Sequence, residues 1–179
     1  MSWWGKLIGG TFGFMLGGPL GAMLGAALGH NFDRGIQITA DASPFGAGPN
    51  QERIQSAFFA ATFSVMGHVA KADGRVSEDE IAIARSVMAQ MSLDPQQAKI
   101  AMDLFNQGKQ ANFDLDAVIK QFKAECHRRT TLLQMFLEIL LHAAYADGVF
   151  HPDEAAMIQK ISRELGFTEA HYQQLEAII

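Results

Sequence analysis

Cysteine is nearly missing from this chain: Cys126 is the only one in 179 residues. No internal disulfide can form, and nothing calls for an oxidising compartment. Basic residues are also in short supply. Fourteen Lys and Arg stand against 19 Asp and Glu, a formal charge of −5, which argues against nucleic acid as the main partner because phosphate requires a basic face. Lys120, Lys123, His127, Arg128 and Arg129 make a local basic strip, read as a solvated helix face. Strand-type alternation is absent after residue 50, and only helical periodicity is found there. No phosphate-binding glycine loop follows a strand, and no nucleophile pairs with a base. Cys126 has only His127 beside it, and neighbours at i, i+1 on a helix do not face each other. The chain is therefore expected to be all-α, not an enzyme, and without a required cofactor.

Charge disappears altogether between Lys6 and His30. Over the first thirty residues glycine recurs at every fourth position: Gly5, Gly9, Gly13, Gly17, Gly21, Gly25 and Gly29, with Gly10 and Gly18 on the same face. In a water-exposed helix each glycine costs about 1 kcal/mol, so a soluble helix would not repeat it in this way. In lipid, a ridge of small residues lets a second helix approach closely. Leu7 to Gly29 is long enough, at about 1.5 Å per residue, to cross a hydrocarbon core of roughly 30 Å. The expectation is a transmembrane anchor over residues 1–34, dimerising through Gly9, Gly13, Gly17, Gly21 and Gly25. Trp3 and Trp4 suit an interfacial belt, and Lys6 can snorkel. Two alternatives stand beside it. One is a cleaved signal peptide, which would want more basic residues and a shorter apolar centre. The other is a broken span or hairpin, because Gly17-Gly18-Pro19 is a strong breaker and Pro19 removes a ladder bond. Flanking charges are balanced and leave the orientation open.

Residues 35–50 are rich in Gly, Pro, Ser and Ala and read as a flexible linker. Residues 51–179 are long enough for one domain with a real core. Periodicity predicts about seven helices: Gln51 to Lys71, Ser77 to Met91, an Asp94-capped helix ending near Gly108, Leu115 to His127, Thr130 to Tyr145, Pro152 to Gly166, and a Thr168-capped helix to the end. The fifth is apolar on most sides and is expected at the centre of the bundle.

Ala72-Asp73-Gly74 recurs as Ala146-Asp147-Gly148, 74 positions later. The same offset pairs His68 with His142, Asp79 with Asp153, Glu80 with Glu154, and Asp94 with Thr168. Two related helix–turn–helix units about a pseudo-twofold are the simplest explanation. Asp73, Glu80, Asp147 and Glu154 offer oxygen ligands for a divalent cation. The same residues also suit helix starts: Ser77-Glu78-Asp79-Glu80 spells a capping box, Pro152 sits at a first helical position, and Asp-Gly is a turn pair. The two readings are compatible. His68 and His142 each fall on an apolar face and are expected to be hydrogen-bonded core histidines.

These turns, followed by apolar helices, resemble the TerB (tellurite-resistance) helical domain. Trp4-Gly5-Lys6, Gly29-His30-Asn31-Phe32-Asp33, Val65-Met66-Gly67-His68 with Ala72-Asp73-Gly74-Arg75-Val76, Met135-Phe136-Leu137-Glu138-Ile139, and Ala146-Asp147-Gly148 with His151-Pro152 together resemble the N-terminal region of the DjlA family of membrane-anchored DnaJ-like co-chaperones. The resemblance implies a single dimerising span in the inner membrane, a cytoplasmic TerB-like domain over residues 51–179, and metal binding at Asp73, Glu80, Asp147 and Glu154. It also implies a J domain acting on an Hsp70 ATPase. None lies within these residues, so Hsp70 contact is expected only if a J domain follows. His151-Pro152-Asp153 matches the tripeptide with which J domains touch Hsp70, but the repeat sets it opposite Ser77-Glu78-Asp79 and marks it as a helix start. The expected function is a membrane-anchored, non-enzymatic co-chaperone-type module. The alternative is a metal- or oxyanion-binding stress-response module.

Overall fold

The computed structural model describes residues 16–32, 49–72, 74, 78–146 and 148–179. Within them the chain is all-α, with helices α1 (Gly18–Phe32), α2 (Pro49–Ala70), α3 (Glu78–Gln90), α4 (Pro95–Gly108), α5 (Leu115–Cys126), α6 (Thr130–Tyr145), α7 (Pro152–Glu164) and α8 (Glu169–Glu176). Seven helices follow the N-terminal segment, as the periodicity predicts. Most of the linker expected over residues 35–50 lies outside the described residues.

Helix starts follow local chemistry. Asp94 accepts from the Gln97 backbone N–H at 2.9 Å while the Gln97 side chain accepts from the Asp94 N–H at 3.0 Å, a reciprocal capping box with Pro95 at the first helical position. Asp114 accepts from Ala117 N–H at 3.1 Å and Thr168 from His171 N–H at 3.2 Å. α7 opens at Pro152, with His151 in the cap position but not capping the helix through its side chain. That is the helix start expected there. Ser77, the cap expected for α3, lies outside the described residues.

The 74-residue repeat holds bond by bond. Gly74 donates to Lys71 O and Gly148 to Tyr145 O, and both glycines have positive φ. α3 ends with Leu93 N–H on Met88 O and Ser92 at φ 53°; α7 ends with Phe167 N–H on Ser162 O and Gly166 at φ 95°. Both are Schellman ends, with a left-handed residue just past the helix. Units α2–α3–α4 and α6–α7–α8 are therefore copies. α3 packs on α6 and α7 packs on α2, the exchange that a twofold between copies requires.

The central helix is α2, not α6. Gln55 to Gly67 are buried without interruption, and α2 packs against α1, α3, α4, α5, α6 and α7. α6, expected at the centre, buries Leu133, Phe136, Leu137, Leu140, Leu141 and Ala144 but leaves Met135 45% exposed. The reason is side-chain size and local bonding. Small residues let neighbours close around α2; of its buried hydroxyls, that of Ser64 donates to Ala60 O at 2.6 Å, while that of Thr62 has no hydrogen-bond partner among the described residues. α2 and α4 approach most closely at two glycines. A Cβ on Gly67 would fall on the Phe105 carbonyl, and one on Gly108 on the Ser64 carbonyl.

Candidate functional site

Glu80 and Glu154, each the third residue of its helix, both line one small cavity. Its walls come in repeat-related pairs: Met66 with Leu140, Val69 with Ala143, Ala70 with Ala144, Glu80 with Glu154; Phe105 closes it. The pseudo-twofold thus passes between the two carboxylates. Glu154 is 4% exposed, and the free volume of about 10 Å³ is that of about one water. Asp73 and Asp147, the other two expected ligands, lie outside the described residues. Among the described residues no group of three or more His, Cys, Asp or Glu is arranged to hold a metal. Two carboxylates lining one cavity suit a hard cation in kind, but such ions take six or more oxygens.

The two histidines part company. His68 is half-buried; its Nδ1 donates to Gly108 O at 3.2 Å, and its ring lies 4.8 Å from that of Phe113. Burial holds its pKa below the ordinary 6.5, against the opposing pull of the Gly108 carbonyl. It is a core histidine tying α2 to the α4–α5 corner. His142, expected to match it, is exposed. The α4–α5 corner that covers His68 has no counterpart over His142 among the described residues. Cys126 is fully buried, and burial pushes its thiol up to about 12, which leaves almost no thiolate for chemistry near neutral pH.

The N-terminal segment departs from the expected continuous span from Leu7 to Gly29. Gly17 and Gly18 both have positive φ, at 64° and 60°, so a right-handed helix cannot run through them. The chain breaks at the cluster that the sequence marks as a breaker, and α1 begins there with Pro19 in its first turn, where a missing N–H costs nothing. Among the described residues no helix is long and apolar enough to cross a membrane. α1 instead lies on α4, α5 and α2, burying Leu16, Leu20, Leu24 and Ala27.

Gln121 on α5 latches the start of α1. Its Oε1 accepts from Leu20 N–H at 2.8 Å, and its Nε2 donates to Gly17 O at 2.7 Å and Leu16 O at 3.3 Å. Arg53, paired with Glu125 through two bonds of 2.7 and 2.8 Å, also donates to Leu16 O at 3.3 Å. Farther along, Gln107 Nε2 donates to Met23 O at 3.0 Å. Of the expected pairing face, Gly21 is buried, Gly17 and Gly25 have open space where a Cβ would point, and Gly9 and Gly13 lie outside the described residues. Sequence reasoning missed Gln121 and Gln107. A polar residue on an amphipathic helix looks solvent-facing until its partner is known.

Residues 59–177 match the family described as tellurite resistance protein TerB, and residues 1–47 match the co-chaperone DjlA transmembrane domain. Over almost its whole length the chain is similar to co-chaperone protein DjlA of Vibrio cholerae, 45% identical over 179 residues that cover 98% of this chain and 62% of the relative. It is 41% identical over 174 residues to co-chaperone protein DjlA of Legionella pneumophila, covering 96% of this chain and 58% of that one. For that of Escherichia coli the figures are 40% over 175 residues, 97% and 63%. The chain spans about three fifths of the length of these curated relatives. No solved structure matches. With its duplicated seven-helix bundle standing behind a segment of DjlA transmembrane type, the chain belongs to the TerB family in the arrangement found in the DjlA co-chaperones.

Proposed function

We propose that this chain is the membrane-anchored, non-enzymatic regulatory part of a co-chaperone of DjlA type. On this reading the bundle stands on the cytoplasmic side of the inner membrane, copies pair through the glycine face of the anchor, and an Hsp70 partner is reached only through a J domain beyond these residues. The supporting observation is one of order. A DjlA transmembrane segment over residues 1–47 precedes a TerB domain over residues 59–177, and relatives named as co-chaperones carry similarity through both parts. Alkaline carbonate extraction of membranes tests the anchor: the full chain stays with the pellet, and release into the supernatant refutes it. Gly9→Ile and Gly13→Ile test the pairing. Both are expected to abolish self-association in a membrane two-hybrid assay, and unchanged association removes the dimer.

A second reading has one observation in its favour, the placement of Glu80 and Glu154 on a single cavity. In it Asp73, Glu80, Asp147 and Glu154 hold a divalent cation between the repeats, as a stress-response module would. Titration calorimetry with Ca²⁺, Mg²⁺, Mn²⁺ and Zn²⁺ decides: heat that vanishes in Glu154→Gln supports a site. No heat, with a melting temperature indifferent to chelator, leaves the acids as helix-start residues.

A further inference from the structure

We propose that the end of the bundle formed by the α5 C-terminus and the α5–α6 turn is a docking face for anionic lipid headgroups, resting on the anchored reading above. Lys120, Lys123, Arg128 and Arg129 are all exposed, and among the described residues none of them is in an ion pair. The nearby acids Glu125 and Glu164 are already engaged: Glu125 pairs with Arg53 at 2.7 Å, and Glu164 lies on Lys160 at 3.6 Å. Lys123 also lies against Gly166, so the end of α7, with exposed Arg163, adjoins the same region. A lysine in a last helical turn suits the helix dipole, but that accounts for Lys123 and not for the arginine pair beyond the helix.

Position gives the charge its meaning. Gln121 and Glu125, on the same two turns of α5, hold the Leu16–Gly17 backbone and its neighbour Arg53. The chain that precedes Leu16, part of the matched transmembrane domain, therefore joins the bundle beside the basic end. Exposed acids at the other end include Glu78 and Asp79 on α3, Asp153 on α7, and Asp114 and Asp116 at the start of α5; at the basic end Glu169, which opens α8, is also exposed and accepts from Gln159 at 2.6 Å. A chain of net charge −5 thus carries, at the end where Leu16 sits, four exposed cations that are in no ion pair among the described residues. Met135, 45% exposed in the second turn of α6, adds an apolar side chain to the same end. Basic residues flanking an exposed apolar one are the pattern of an interfacial contact, and each cation near an anionic surface is worth about five-fold in partitioning.

The test uses the full chain in nanodiscs of phosphatidylcholine alone or with added phosphatidylglycerol, followed by hydrogen exchange. Residues 124–135 are expected to exchange several-fold more slowly in the anionic discs, with the difference lost in high salt and in the triple variant Lys120→Glu, Arg128→Glu, Arg129→Glu. Circular dichroism checks that this surface variant still folds. Equal exchange of an inserted chain in both lipids overturns the inference and leaves the anchor standing, as does protection confined to the acidic end at residues 78–90. A chain that fails to insert but cosediments with phosphatidylglycerol vesicles, and no longer does so after charge reversal, sinks the anchor and keeps the docking face.

Discussion

Adding one methyl group at Gly67 separates two effects of opposite sign. In an isolated helix Gly→Ala stabilises by up to about 1 kcal/mol. Here the new Cβ would land on the backbone carbonyl of Phe105, which cannot swing aside as a side chain can. α2 and α4 would have to separate, and overpacking of this kind costs about 1–3 kcal/mol, or more when backbone must move. Separation would also strip contact from Phe105 and Leu104, both fully buried. The packing term wins, and Gly67→Ala is expected to lose about 1–2 kcal/mol, or roughly 4–8 °C of melting temperature for a domain of this size. Gly25→Ala is the counter-test: that glycine is helical and has open space at its Cβ, so the propensity gain stands alone and stability should hold or rise. Gly108→Ala strikes the same crossing from the other side, against Ser64 O. The double variant should therefore cost less than the sum of the singles, because helices already moved apart have room for both methyls. Thermal unfolding followed at 222 nm measures all four. A Gly67→Ala chain that melts at or above the parent, or strict additivity with Gly108→Ala, refutes the close crossing.

His68, held below pKa 6.5 mainly by burial, resists a proton that the unfolded chain accepts, so stability should fall as pH drops beneath about 6.5; an NMR titration midpoint at or above 6.5 contradicts this. Cys126, buried with its thiol near 12, should react with a maleimide only after denaturant is added, and rapid labelling of the native chain would mean that the α5 C-terminus is open. Met23→Cys with Gln107→Cys should cross-link readily when α1 is seated on α4, whereas absence of the cross-link in both detergent and bilayer removes the docked α1.

Most of the bundle is legible in the sequence because its helix ends are set by local chemistry. Asp94 with Gln97, Pro95, Pro152 and Thr168 act within one turn of chain, and their effects do not depend on what packs nearby. The 74-residue repeat is legible for the same reason, since its matches concentrate on turns that fix backbone shape. What escaped depends on neighbours. α6 has more large apolar residues than α2, yet α2 is the centre, because burial follows closeness of approach and the glycines Gly67 and Gly108 set that approach. His68 and His142 occupy equivalent positions and differ only through the α4–α5 corner that covers one of them. At the acidic turns, sequence names four carboxylates, and the structure brings Glu80 and Glu154 to one cavity.

The N-terminal stripe marks the point where one pattern serves two environments. A helix of Leu, Ala and Gly is welcomed by acyl chains, and it is equally suited to lie in a shallow groove of a protein, because small residues permit close approach in both. Burying Leu20 and Leu24 under the bundle removes them from water, as lipid would, so the hydrophobic term scarcely discriminates between the two. The backbone discriminates. Gly17 and Gly18, turned left-handed, open a helix whose Leu20 N–H is met by Gln121, while the carbonyls of Leu16 and Gly17 are met by Gln121 and Arg53. A continuous span would break all of these bonds and replace them with ladder bonds, and each exchange is worth about 0.5–1.5 kcal/mol. The balance between a seated α1 and an inserted one therefore rests on Gln121 and Arg53. Gln121→Leu, which keeps the bulk and removes the bonds, tips it toward the bilayer.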